Sequence, residues 1–313
     1  MTKLLRRRAD RVDALATTAS ASEGGTSLAA DALRRMSRNP VAVTGAVIVG
    51  LFVLLAILAP LLAPRDPFFR DPVLRENLRP GSIPGPMPGY LLGSDEAGRD
   101  FFSRLLVGSQ QSLIVGVGAT LLGLTVGMLI GGLAGALGGW LDTLLMRLTD
   151  IMLSFPSLLL AVSIAALFSR GSQLTVIIAV AVVSVPIFAR LLRGSMLAQR
   201  SSDHVLAATA LGVRRGTIVF RHMLPNSMGP VLVQTTLTLA TSIIEAAGLS
   251  FLGLGDPDPD RAEWGLMLAN AQRILDVKPE LAFYPAIAII VVALGFTLLG
   301  ESMREALDPK NRR

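Results

Sequence analysis

Six blocks of apolar residues, near 41–62, 113–137, 144–168, 174–192, 231–252 and 281–299, decide what this chain can fold into. Crossing a hydrocarbon core of about 30 Å takes about 20 helical residues, and only helices or closed barrels satisfy their own backbone there. The expectation is an all-α membrane protein with six transmembrane helices. A 51% hydrophobic content over 313 residues and a mean hydropathy of +0.58 exclude an ordinary soluble domain.

In a membrane protein the sign of charge per loop matters more than the net +6. With the amino terminus inside, the inner segments carry 19 basic residues and the outer ones 10. That places both termini and the polar island 190–226 in the cytoplasm, and turns Asp256, Asp258, Asp260 and Glu263 outward. The first block is longer than a signal-peptide core of about 7–15 residues and begins only after 40, so it reads as a retained helix.

The organisation expected is a cytoplasmic tail (1–40), a first transmembrane helix (41–63), an extracytoplasmic loop with an interfacial helix (64–107), a five-helix core (108–305) and a cytoplasmic tail (306–313). Within the core lie an inner loop (195–227) and an outer one (253–280). Pro64, Pro67, Pro72, Pro80, Pro84, Pro86 and Pro88 forbid regular structure after the first helix. Ser94 then reads as the cap of a helix with Asp95 and Glu96 in its first turn, either plainly interfacial or touching a partner.

Gly123, Gly127, Gly131 and Gly135 fall four apart, extended by Ala119 and Gly139. Such a stripe lets another backbone approach closely where lipid gives no hydrophobic drive. It does not say whether the neighbour is in this chain or in a partner. Pro156 and Pro186 each remove a backbone hydrogen bond and favour a kink.

Cysteine is absent, there are two histidines, and none of the three lysines lies in a phosphate-loop motif. No disulfide, thiolate centre or metal site is expected, and no nucleotide site of the chain's own. Ser250 and the histidines His204 and His222 fall at opposite faces, so an intramembrane serine hydrolase is not expected. Asp150 and Glu245 lie within or beside spans, where carboxylates usually face a bundle interior or a watery cavity. Arg147 stands one turn before Asp150, so that acid either pairs there or lines a gate. Glu245 has no basic neighbour in sequence and reads as a pathway or interhelix residue.

The island reads as two short helices. Ser201, Ser202 and Asp203 supply capping chemistry, Leu206, Ala207, Ala208 and Leu211 belong to the first helix, and Gly212 fits a left-handed terminus. The second runs from Arg214 to Met223 and ends at Leu224 and Pro225, because the residue before proline disfavours helix. Its small and apolar surfaces suit another protein's cleft.

Ala207, Ala208, Gly212, Leu224 and Pro225 resemble the EAA loop of permease subunits of bacterial binding-protein-dependent ABC importers, with Leu206 where the family has glutamate. Segments 92–105, 145–156, 245–255, 263–265 and 306–309 resemble the C-type permeases of dipeptide, oligopeptide and nickel importers. This resemblance implies a type I importer fold in the bacterial inner membrane. It implies a homologous second permease, two cytoplasmic ATPases that bind ATP and Mg, and an extracytoplasmic binding protein. Asp203, Leu206, Ala207, Ala208, Leu211, Gly212, Leu224 and Pro225 would then form the ATPase-coupling loop. The outer residues 256–264 either meet the binding protein or stay solvated. Peptide is the expected cargo, with chelated nickel or glutathione as alternatives, and a stand-alone ion-driven transporter as the rival of another class.

Overall fold

The structure, a computed structural model, describes residues 28–77 and 83–307. Most of the expected amino-terminal tail, Pro80 and the segment 308–313 lie outside the described residues. Among these the chain is helical, with isolated bridges at Met87–Tyr90 and Ser94–Asp100 in place of strands.

A short helix α1 (Leu28–Met36) precedes α2 (Pro40–Leu62), which starts at a proline and is capped by the Asn39 side chain, 2.9 Å from the Val41 N–H. The proline-rich stretch is not without regular structure, because Pro72 opens the six-residue α3 (Pro72–Asn77) at a first-turn position where its missing N–H goes unneeded; α4 (Phe101–Leu137) then runs 37 residues. At 1.5 Å per residue that is about 55 Å, well beyond a hydrocarbon core, and its first turns stand outside the 113–137 block. Then follow α5 (Gly139–Leu153), α6 (Ser157–Ala165) and α7 (Gln173–Arg200).

Among the described residues five helices are long and apolar enough to span a membrane, and α5 with α6, bent by 95° where they meet, makes a sixth if the pair is counted as one broken span. The single helix expected over 144–168 is therefore two. Pro156 sits at the break as the residue preceding α6, where it keeps an extended ψ of 134° and has no N–H to continue the ladder. Pro186, in contrast, lies inside an uninterrupted α7.

α7 is the axis of the bundle: 61% of its apolar window is buried, against 22% for α2. The glycine stripe explains how. A Cβ at Gly123 would lie 1.9 Å from Ser184 Oγ, at Gly127 2.6 Å from Phe188 Cβ, and at Gly131 2.2 Å from Ala189 O. Those contacts bring the α4 and α7 backbones together within this chain. Gly139 does not extend the stripe; it begins α5, in the corner after Gly138, and a Cβ there would meet nothing. On the far side of the bundle, Gly45 of α2 lies against the 295–299 backbone of the last helix, α13 (Glu280–Leu307). The chain reaches α13 from α7 through the island, then α11 (Met228–Phe251) and α12 (Trp264–Gln272); the island's own helices, α8 to α10, are described below.

At the α12 end the loops are cross-tied into a collar. Residues 92–100 are not the expected helix: α4 begins at Phe101, capped by Asp100, whose Oδ2 accepts from the Ser103 N–H at 2.9 Å. Asp95 instead accepts from the Ala97 and Arg99 N–H groups, closing a turn in which Gly98 takes φ +78°. Arg99 bonds Asp95 (2.7 Å), Asp260 (2.6 Å) and Pro259 O (2.9 Å). Arg104, 1% exposed, holds the carbonyls of Pro67, Asp260 and Arg261 at 3.0–3.1 Å. Trp264 Nε1 donates to Leu105 O at 2.9 Å and its ring packs 5.6 Å from Phe52.

Candidate coupling site

The island folds as the end of α7, a corner, α8 (Asp203–Ala210) and a helical run into α11. Ser202 takes the N-cap position of α8, but its hydroxyl donates to Gln199 O at 2.5 Å and so does not cap. At the other end Gly212 has φ +76°, the left-handed region that glycine alone enters cheaply. Its N–H bonds Thr209 O at 3.0 Å and the Val213 N–H bonds Ala208 O at 3.1 Å, the paired closure of a Schellman motif.

Beyond it come α9 (Arg215–Ile218), a π turn (Val219–Met223) and α10 (Leu224–Asn226). The helix expected to stop at Leu224 and Pro225 continues instead. The Leu224 N–H reaches back five residues to Val219 O, and the wider turn makes room for a proline ring that has no N–H to offer.

The segment has two faces. Val205, Ala208, Ile218 and Met223 are buried against Phe188, Leu192 and Met196 of α7 and Val231 of α11. Leu206 (55%), Leu211 (83%) and Phe220 (72%) are exposed, as are Asp203, Ala207, Gly212 and Pro225. Of the residues proposed from sequence, Ala208 thus belongs to the anchor, Leu224 is half-buried, and the other six lie open. Phe220 was missed, since nothing in an apolar Val-Phe pair says which one turns outward. A second missed feature is Asn226, whose Nδ2 donates to His222 O at 2.7 Å and lies 3.2 Å from His204 Nε2. It ties the start of α8 to the end of the second stretch.

The expected partner of Asp150 is replaced. The acid pairs with Arg190 of α7 and not with Arg147, while Asp142, two turns earlier on α5, takes Arg193. Two acids on α5 and two arginines on α7 join neighbouring helices, a link that outcompetes the pair within one helix. An open groove of about 590 Å³ lies beside it, lined by Leu153, Ile187, Arg190 and Gln234. Glu245 is half-buried on α11, with the Ser157 hydroxyl, at the start of α6, as its hydrogen-bonding neighbour. Both carboxylates therefore flank the break between α5 and α6. Among the described residues no three His, Asp or Glu side chains converge as a metal site requires.

Residues 127–313 match the family of binding-protein-dependent transport system inner membrane components, and residues 27–80 match the N-terminal TM domain of oligopeptide transport permease C. The dipeptide transport system permease protein DppC of Alkalihalophilus pseudofirmus is 40% identical over 284 residues, 90% of this chain and 89% of that one. The glutathione transport system permease protein GsiD of Escherichia coli O6:K15:H31 is 43% identical over 277 residues, 88% and 89% of the two chains. Among solved structures, a chain of the MetNI methionine ABC transporter in inward facing conformations overlays with a TM-score of 0.55 at 17% identity. It covers 66% of this chain and 96% of its own length, and it shows a shared fold.

Proposed function

The chain belongs to the binding-protein-dependent transport system inner membrane components, as a C-type, multi-pass permease of an ABC importer, and on that premise we propose that its 202–225 segment receives motion from a partner ATPase. In this family ATP is consumed by partner subunits, and the machinery includes a second permease and a binding protein. We read the present chain as carrying no nucleotide site of its own, with both termini and the 202–225 segment in the cytoplasm. Asp203, Leu206, Ala207, Leu211, Gly212 and Pro225 are the coupling surface, and Ala208 with Leu224 anchors it. Asp150 and Glu245 stand near the pathway.

One observation carries this reading. Leu211 projects at the apex of a glycine-closed turn whose opposite face is packed against both α7 and α11. A push at the apex therefore reaches two spanning helices at once, as a rigid-body rocking mechanism requires. The cargo that fits the named relatives is a short peptide: one is called a dipeptide permease, and glutathione, named for the other, is itself a tripeptide.

The test is ATP-dependent dipeptide uptake by the full complex in proteoliposomes. A Cβ at Gly212 would meet nothing within 4 Å, so Gly212→Val acts only through its positive φ, a cost of about 1–2 kcal/mol. Uptake is expected to fall at least tenfold while the variant still assembles with its permease partner. Wild-type uptake by Gly212→Val would remove the segment from the coupling path.

A further inference from the structure

A cavity of about 220 Å³ opens between α12 and the 95–100 turn with the start of α4, at the opposite end of α11 from the coupling segment. Its floor is apolar, with Phe101, Met267, Ile274 and Leu281, and its walls carry Arg70, Arg99, Arg104 and Arg273 against Asp95 and Glu96. Two of those arginines are committed. Arg104 is spent on three carbonyls, and Arg70 on Asp260.

Among the described residues the other two keep unpaired donors, Arg99 at one nitrogen only and Arg273 across its side chain. The Arg99 side chain is 6% exposed and held by Nε on Asp95 and Nη1 on Asp260 and Pro259 O, while its Nη2 carries no hydrogen bond among the described residues. Arg273, the residue that closes α12, makes no ion pair within 4.0 Å among them. Its charge is felt by Glu96, whose carboxyl burial pushes up while Arg273 opposes the rise. A guanidinium fixed by its neighbours and partly desolvated binds a carboxylate with little reorganisation.

We propose that this cavity is a socket for an acidic side chain of the extracytoplasmic substrate-binding protein, seated between Arg273 and Nη2 of Arg99. The inference rests on the importer reading above, which places this end of the bundle outside. Size selects the occupant: pockets that enclose a small molecule run about 300–1,000 Å³, and this one holds a single side chain over an apolar floor. A buried charged anchor of that kind is what concentrates binding energy at a protein interface.

The assay is ATP hydrolysis by the reconstituted complex, titrated with the binding protein that co-purifies with it. The exposed Arg273 is replaced in R273E and R273Q, and assembly is checked by gel filtration. The half-saturating concentration of binding protein is expected to rise about tenfold in R273E and less in R273Q. Its increase with salt, present in the wild type, should be lost in R273E. Unchanged half-saturation in both variants overturns the socket, and so does a defect confined to the peptide concentration dependence, which would assign the cavity to cargo. Absence of any stimulation in the wild type would instead count against the importer reading itself.

Discussion

At the α12 end of the bundle Arg104 is 1% exposed and gathers carbonyls from two loops nearly 200 residues apart in sequence, whereas at the other end Leu211 is 83% exposed on a turn closed by its own backbone. The collar is built from long-range charged contacts that fix several loops relative to one another. The coupling segment is built from local bonds and one apolar face on α7 and α11. Charge buried at a hub resists rearrangement, because breaking one bond strands the others. An apolar footing on two helices moves with those helices. Under the proposed coupling role, the contrast gives stiffness to one end and transmissible motion to the other.

The sharpest attempt to break it is Arg104→Ala. The substitution leaves the carbonyls of Pro67, Asp260 and Arg261 without their donor and removes a partner 3.4 Å from Asp95. Loss of a buried charged hub costs about 3–5 kcal/mol. The detergent-solubilised chain is expected to melt several degrees lower, with proteolysis appearing first at 64–100. A melting temperature within a degree of wild type would mean that the collar is not held by this residue.

Next in size is a pH effect at the same end. Glu263 is 8% exposed where α11 meets α12, and burial pushes it up to about 7 in spite of the Ser250 hydroxyl, the Gly265 N–H and the nearby Arg261, with Asp256 adding to the rise. A raised carboxyl favours the protonated fold. Its stabilisation is complete below about 4.5 and is lost as pH climbs through 7. At 1.36 kcal/mol per unit the loss approaches about 3 kcal/mol. Asp260 and Asp71 are held low, by Arg70 and by the Tyr90 hydroxyl respectively, so their contribution changes only in acid, outside this window. Thermal scans from pH 4.5 to 7.5 should show the decline in wild type and a flattened profile in Glu263→Gln. An unchanged slope in the variant would move the effect elsewhere.

How much of this was legible from sequence follows the same division. The spanning helices announce themselves through uninterrupted apolar runs, and Gly212 through its place after a run of helix formers, because both are local signals. The collar was opaque for the opposite reason. Arg99 and Arg104 look like interfacial charges until the fold brings Asp260 to them, and Ser94 looks like a cap until Asp95 folds its own loop into a turn. For Asp150 the sequence offers a pair with Arg147 or a place at a gate, since spacing within one helix is visible and the approach of Arg190 from α7 is not. Pro156 and Pro225 show that a proline's outcome depends on its surroundings: one separates two helices, and the other is absorbed by a π turn.

The mildest perturbation probes the 202–226 segment alone. Asn226 joins the two halves of the coupling segment through His222 O and His204, and its side chain is exposed, so Asn226→Ala removes a hydrogen bond whose net worth is about 0.5–1.5 kcal/mol at most. Global melting should hardly move. Hydrogen exchange is the informative measurement, because a local tie protects only what it closes. Amides of α8 are expected to exchange faster by a few fold, while those of the 92–100 loop keep their wild-type rates. Faster exchange at both ends would show that the coupling segment and the collar open as one unit, and the division between a stiff end and a moving end would not hold.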